Sequence, residues 1–160
     1  MEIVAAKQGE VSVILKMIKE LAEYEGLLDE VTATEEDLTE SLFVQHQAQV
    51  ILAKDKSEVI GFALYFINYS TFIGRGGVYL EDLYVRPSYR GSGAGKALIK
   101  KLAQIAVEIG GQRLQWWCLK NNTSSLDFYE HIGAKQQDDW IVLRVSGKEL
   151  EKLAGQESTS

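Results

Sequence analysis

The sequence predicts a single mixed α/β domain with a mostly antiparallel central sheet flanked by helices. Three observations carry that prediction. Apolar residues recur at helical spacing near the N-terminus and in the middle of the chain. Strand-like runs follow one another across short polar turns, and strand and helix patterns alternate after that. At 160 residues, 46% hydrophobic and 25% charged, the chain suits one ordinary globular core over residues 1–155.

"EIVAAK" opens the chain as a short strand. From Gly9 to Tyr24, Val11, Ile14, Leu15, Ile18, Leu21 and Ala22 fall at three- and four-residue spacing, which predicts an amphipathic helix. Thr34 followed by Glu35, Glu36 and Asp37 reads as an N-cap with an acid-rich first turn, so a second helix is expected to about Phe43. "QVILAK" and "EVIGFALYFINY" are strands joined by "DKSE", and "GGVYLEDLYV" is a strand stopped by Pro87. A helix from Ala94 to Ile109 ends at Gly110-Gly111. "RLQWWCL" is expected as a strand, Asn122 to Ile132 as a helix, "WIVLRVS" as a last long strand and "GKELEKLAG" as a C-terminal helix. The tail 156–160 is expected to be disordered.

Charge narrows the function classes. A net charge of −6 argues against general nucleic-acid binding, which calls for clustered positive charge. The apolar runs are too short for a membrane helix, and the N-terminus lacks the order of a signal peptide, so a cytoplasmic location is expected. The lone Cys118 forms no internal disulfide and, in an apolar strand, reads as buried and inert rather than as a covalent nucleophile. His46 and His131 show no metal or catalytic pattern, and no metal is expected. From Glu20 to Glu40 the charges are all acidic (Glu20, Glu23, Glu25, Asp29, Glu30, Glu35, Glu36, Asp37, Glu40). From Val85 to Val107 they are all basic (Arg86, Arg90, Lys96, Lys100, Lys101). The pair of segments points to a cation site and an anion site.

"VRPSYRGSGAGKALIKKL" sets three glycines in five residues at the mouth of a helix. It is not a Walker A loop, because Ala97 follows Lys96 where a hydroxyl is needed and Arg90 stands in place of the first glycine. It is not a dinucleotide fingerprint, because the last glycine position falls on Lys96 or Leu98. R-x-x-G-x-G does fit, with Arg90, Gly93 and Gly95. Backbone N–H groups and the helix dipole there suit a pyrophosphate held without metal, with Arg90 and Lys96 at the rim. A glycine turn that only packs tightly remains the alternative on these residues alone.

"RGSGAG" after "LYVRPSYR" resembles the acetyl-CoA signature of the GNAT superfamily of N-acetyltransferases. "YLEDLYV", "NNTSSLDFYEHIGA" and "IGFALYF" extend the resemblance to the spermidine/spermine (diamine) branch, which includes thialysine acetyltransferases. It runs from about Ile3 to Leu153 and implies a GNAT-type fold with acetyl-CoA as co-substrate. By that resemblance the coenzyme would lie along Leu83, Tyr84 and Val85 and against Arg90, Gly91, Ser92, Gly93, Ala94, Gly95 and Lys96. Asn122, Thr123, Ser124 and Ser125 would meet its other side. Tyr129 falls on the tyrosine near the thioester sulfur, and Glu81, with Asp82 beside it, on the acid near the attacking amine. Tyr24 and Glu25 match the amine-binding pair. The segment between Gly133 and Trp140 is shorter than in the animal enzymes, and Asp138 is its candidate amine contact.

The chemistry asks for such groups. An amine of lysine type, with a pKa near about 10.4, must lose a proton to attack a thioester. Glu81 acting through water is the candidate base, a backbone N–H near Leu83 the oxyanion donor, and Tyr129 the acid for the leaving thiolate. Each has a plainer reading: a solvent-facing strand residue for Glu81, helix packing for Tyr129, a structural carboxylate for Asp82. Trp116 and Trp117 alternate across a strand, one toward the core and one toward a pocket or subunit.

The reading is acetyl transfer from acetyl-CoA to a primary amine of a diamine, polyamine or thialysine by direct attack in a ternary complex. Protein or peptide amines, or a non-catalytic acyl-CoA-binding module, are the alternatives; the last is expected to lack Glu81 or Tyr129. The resemblance also implies a homodimer, with Val142 to Val145 and the strand near Trp117 close to the interface.

Overall fold

The computed structural model describes residues 1–156; of the tail expected to be disordered, 157–160 lie outside the described residues. The described chain forms two compact units that divide after Trp117.

The first unit is built on a five-stranded sheet in the order β1-β2-β3-β4-β5. Strands β1 (Glu2–Ala5), β2 (Gln49–Asp55), β3 (Glu58–Ser70) and β4 (Arg75–Val85) run antiparallel to their neighbours. β5 (Leu114–Trp116) lies parallel to β4, a pairing that requires a crossover connection between them. The strand expected over "RLQWWCL" is thus limited to its first half. That crossover is α3 (Ala94–Glu108), whose Leu98, Leu102 and Ala106 bury against Ile51, Ala63, Val78 and Leu80 on one face of the sheet.

The other face is covered by α1 (Val11–Tyr24) and α2 (Glu35–Leu38), with Ile14, Met17, Leu38 and Leu42 packed on Val50, Leu52, Phe62 and Tyr84. Ile14 and Met17 are fully buried, which stabilises the unit by about 1.5–3 kcal/mol each. Thr34 caps α2 as its sequence suggests: its Oγ1 accepts from Asp37 N–H at 3.1 Å, and its own N–H donates to Asp37 at 2.9 Å. Beyond Leu38 the helix widens into a π-type turn over Thr39–Val44.

Two local features place the site. α1 stops in a Schellman turn: Leu27 N–H donates to Ala22 O, Gly26 N–H to Glu23 O, and Gly26 takes φ 74°, a value that glycine adopts without a Cβ penalty. Tyr24 and Glu25 therefore stand on the helix's terminal turn. The second feature is a bulge in β4. Tyr65 pairs with Leu80 and Leu64 with Asp82, so Glu81 has no opposite number. The extra residue flips the strand's parity. Val78 and Leu80 face α3, whereas Tyr84, also even-numbered, faces α1.

In the second unit α4 (Thr123–His131) is capped by Asn122, whose Oδ1 accepts from Ser125 N–H at 3.3 Å. α5 (Gly147–Leu153) closes the described part. Residues 140–146, expected as a long strand, are irregular. Strand geometry survives only through a ladder, and among the described residues this run has no ladder partner. Trp140, Ile141, Val142, Leu143 and Val145 are exposed, Leu143 by 85%.

Candidate active site

The coenzyme-like half is assembled from β4 and α3. β4 pairs with β5 over Val78, Tyr79 and Leu80 only, so 81–85 run on with an open edge on that side of the sheet. Arg86 N–H donates to Ile60 O at 2.8 Å. The two-residue alternation of an antiparallel ladder then aims Tyr84 at β3 and turns the peptide groups of Leu83 and Val85 toward the open edge. Val85 O accepts from Arg90 Nε at 3.4 Å.

Past Arg90, Gly91 and Gly93 take φ 81° and 88°, and Gly93 is the N-cap of α3. Only glycine holds that left-handed conformation without strain. A Cβ at Gly91 or Gly93 would meet nothing within 4 Å, so the surface above the loop is open. The first helical bond is Ala97 N–H to Gly93 O at 2.9 Å, which leaves the N–H groups of Gly95 and Lys96 without intrahelical acceptors. Ala94 N–H reaches Ser92 Oγ at 3.4 Å. With the dipole of a 15-residue helix and the exposed Lys96, the loop suits a pyrophosphate.

The amine-like half lies on the α1 face. Asp82 is half-buried, and burial first, then the charges of Glu81 and Glu25, raises its pKa to about 6. The fold thus brings Glu25, distant in the chain, within electrostatic reach of the adjacent pair Glu81 and Asp82. Partial burial also raises the Glu25 pKa. Tyr24 is 58% exposed, and the Arg90 guanidinium lies over its ring at 4.6 Å from the centroid.

Two residues that sequence reasoning did not assign stand beside them. Glu20 accepts from the Tyr84 hydroxyl at 3.2 Å and pairs with Arg86 at 3.3 Å, while Arg86 also donates to Val59 O at 2.9 Å. The one signal for this contact was opposite charge in the two segregated runs; a separation of 66 residues hid the rest.

The second unit carries the remaining candidates. Asn122 Oδ1 serves as the α4 cap and also accepts from Ser124 Oγ at 3.4 Å, beside Thr123 and Ser125 in the first turn. Tyr129 is half-buried on α4, its ring 5.6 Å from that of Phe128. Asp138 is exposed in irregular chain. Among the described residues no group of three or more His, Cys, Asp or Glu is arranged to hold a metal ion, and no helix is long and apolar enough to cross a membrane.

A split strand leading into a glycine-capped helix is matched by a family model, Acetyltransferase (GNAT) family, over residues 15–134. The chain belongs to the GNAT acetyltransferase family. It is 38% identical to a thialysine N-epsilon-acetyltransferase of Bos taurus over 162 aligned positions, covering 94% of this chain and 95% of that one. An L-ornithine N5-acetyltransferase of Arabidopsis thaliana is 37% identical over 95 residues, 59% of this chain and 42% of the relative. An integron cassette protein from the mobile metagenome of V. cholerae superposes with a TM-score of 0.82 at 34% identity, covering 96% of both chains. The GNAT fold expected from the sequence is the one observed, and the chain is an acetyl-transferring enzyme.

Proposed function

We propose that this GNAT enzyme transfers acetyl from acetyl-CoA to a primary amine of a small molecule carrying a second positive charge. The observation that carries the proposal is the acidic setting of the half-buried Asp82, which feels the charges of Glu81 and Glu25 on the stretch of β4 beyond its pairing with β5. A monocation needs one counter-charge; three carboxylates suit a diamine, polyamine or lysine-like amine. The relatives' names, thialysine and L-ornithine acetyltransferases, describe ω-amino compounds of this kind.

The coenzyme supplies an activated thioester. The N–H groups of Gly95 and Lys96 hold its pyrophosphate, and the outward peptide groups of Leu83 and Val85 run beside its arm. Glu81, through water, accepts the proton that the ammonium loses before its nitrogen attacks the carbonyl carbon. The N–H of Leu83 donates to the carbonyl oxygen as negative charge develops there. Tyr129 gives its proton to the sulfur as the C–S bond breaks and is reprotonated by the second proton that the nitrogen sheds in becoming an amide, a role assigned on its match to the family pattern. Asp82 and Glu25 hold the distal ammonium and so fix the reacting end. The exposed apolar residues of 140–145 support a homodimer.

Thiol release from acetyl-CoA with a panel of diamines, lysine-like amines, monoamines and a lysine peptide tests the reading. Release that follows the second positive charge supports it; release with the peptide alone moves the enzyme to protein amines.

A further inference from the structure

We infer that Glu20 is a positioning residue for the amine half of the site, held in place by Arg86 and Tyr84; the inference rests on the proposed dication reading. α1 packs on the sheet through the buried Ile14 and Met17 in its first half, and through the only partly buried Ile18 and Leu21 in its second. Nonpolar contact of that kind is non-directional and does not by itself fix the exact placement of the helix's last turn. The far end is where Tyr24 and Glu25 stand. Glu20 lies one helical turn before Tyr24 and reaches two groups of β4 and its continuation, the Tyr84 hydroxyl at 3.2 Å and the Arg86 guanidinium at 3.3 Å.

Those anchors are themselves fixed. Tyr84 sits in the β3 ladder opposite Phe62. Arg86 is held twice from the β3 side, its N–H on Ile60 O at 2.8 Å and its guanidinium on Val59 O at 2.9 Å. Glu20, Tyr84 and Arg86 form a half-buried, charge-assisted brace. Burial and the Glu20 carboxylate raise the Tyr84 pKa, which keeps its hydroxyl a donor. The brace connects the strand that carries Asp82 to the turn that carries Glu25, and thereby sets the spacing of the two carboxylates proposed to hold a distal ammonium.

The consequence is asymmetric. β3 still holds β4 when the brace is cut, so the coenzyme edge keeps its shape, while the last turn of α1 loses its reference. Glu20→Gln and Arg86→Met are each expected to lower the diamine-to-monoamine ratio of kcat/KM about tenfold, through the diamine KM. The KM for acetyl-CoA stays within about threefold, and Arg86→Lys, which keeps the charge but not the fork that reaches Glu20 and Val59 O together, retains more of the ratio than Arg86→Met. The double variant falls no further than either single one, because both cut the same contact.

Equal losses for both amines, or a raised acetyl-CoA KM to match, would show a fold-wide role and overturn the inference. An unchanged ratio in folded Glu20→Gln would overturn it too. Wild-type enzyme that prefers no diamine would remove the dication reading and this inference together, whereas a wild-type preference retained by the variants removes this inference alone. If Glu20→Gln does not fold, Arg86→Lys against Arg86→Met gives the same comparison.

Discussion

The Arg90 guanidinium lies over the Tyr24 ring, 4.6 Å from its centroid. One residue belongs to the glycine loop that suits a pyrophosphate, the other to the terminal turn of α1 that carries Glu25. The stack therefore joins the two halves of the proposed site by a direct contact, and Arg90 is held from its other side by Val85 O. An exposed cation–π pair contributes about 0.5–1 kcal/mol, enough to bias the loop without locking it.

Gly93→Asp is expected to abolish measurable acetyl-CoA binding in calorimetry. The φ of 88° costs an L-residue about 1–2 kcal/mol. The added carboxylate also stands where phosphate charge is proposed. Unchanged affinity in a folded variant would place the coenzyme elsewhere.

Asp82 gives the acid limb of the pH profile. Its pKa is raised to about 6, so it is a carboxylate above that value and neutral below it. For the diamine, kcat/KM is expected to fall as pH drops through about 6, and Asp82→Asn to flatten that limb. The stability sign is opposite to that of an ion-paired acid. The folded state binds the proton more tightly than the unfolded chain, so stability declines as pH rises from about 4 to about 6. Asp82→Asn is thus expected to raise Tm at pH 7 and to leave it unchanged at pH 4; a lower Tm at pH 7 would contradict the assigned burial cost.

Much of this was legible in the chain. The cap at Thr34, the helix opening at Ala94 and the R-x-x-G-x-G spacing are local patterns with local causes. The bulge at Glu81 was not legible, because register is a relation between two strands; strict alternation would have put Leu80, Asp82 and Tyr84 on one face. Glu20 was counted in an acidic run, while its partner Arg86 belongs to the basic one. The run 140–146 has strand composition, but composition cannot supply a ladder.

Tyr129→Phe is expected to lower kcat by about 10²–10⁴ while acetyl-CoA affinity stays within a few-fold. Turnover at the wild-type rate would leave Tyr129 a packing residue beside Phe128.

Light scattering at micromolar concentration is expected to give the mass of a dimer. Replacing Leu143, 85% exposed, with Glu should shift that mass toward the monomer. A monomeric wild type would refute the proposed assembly.

The central claim is that Glu25 and its neighbouring carboxylates select a second positive charge. It is tested most directly by kcat/KM for a diamine and a monoamine of matched length, in wild type and in Glu25→Gln. A diamine preference of at least about tenfold is expected in the wild type, the factor that 1.4 kcal/mol of selective binding gives. Glu25→Gln is expected to narrow this gap by weakening the diamine alone. Equal kcat/KM for the two amines in the wild type, or a gap untouched by Glu25→Gln, would contradict it.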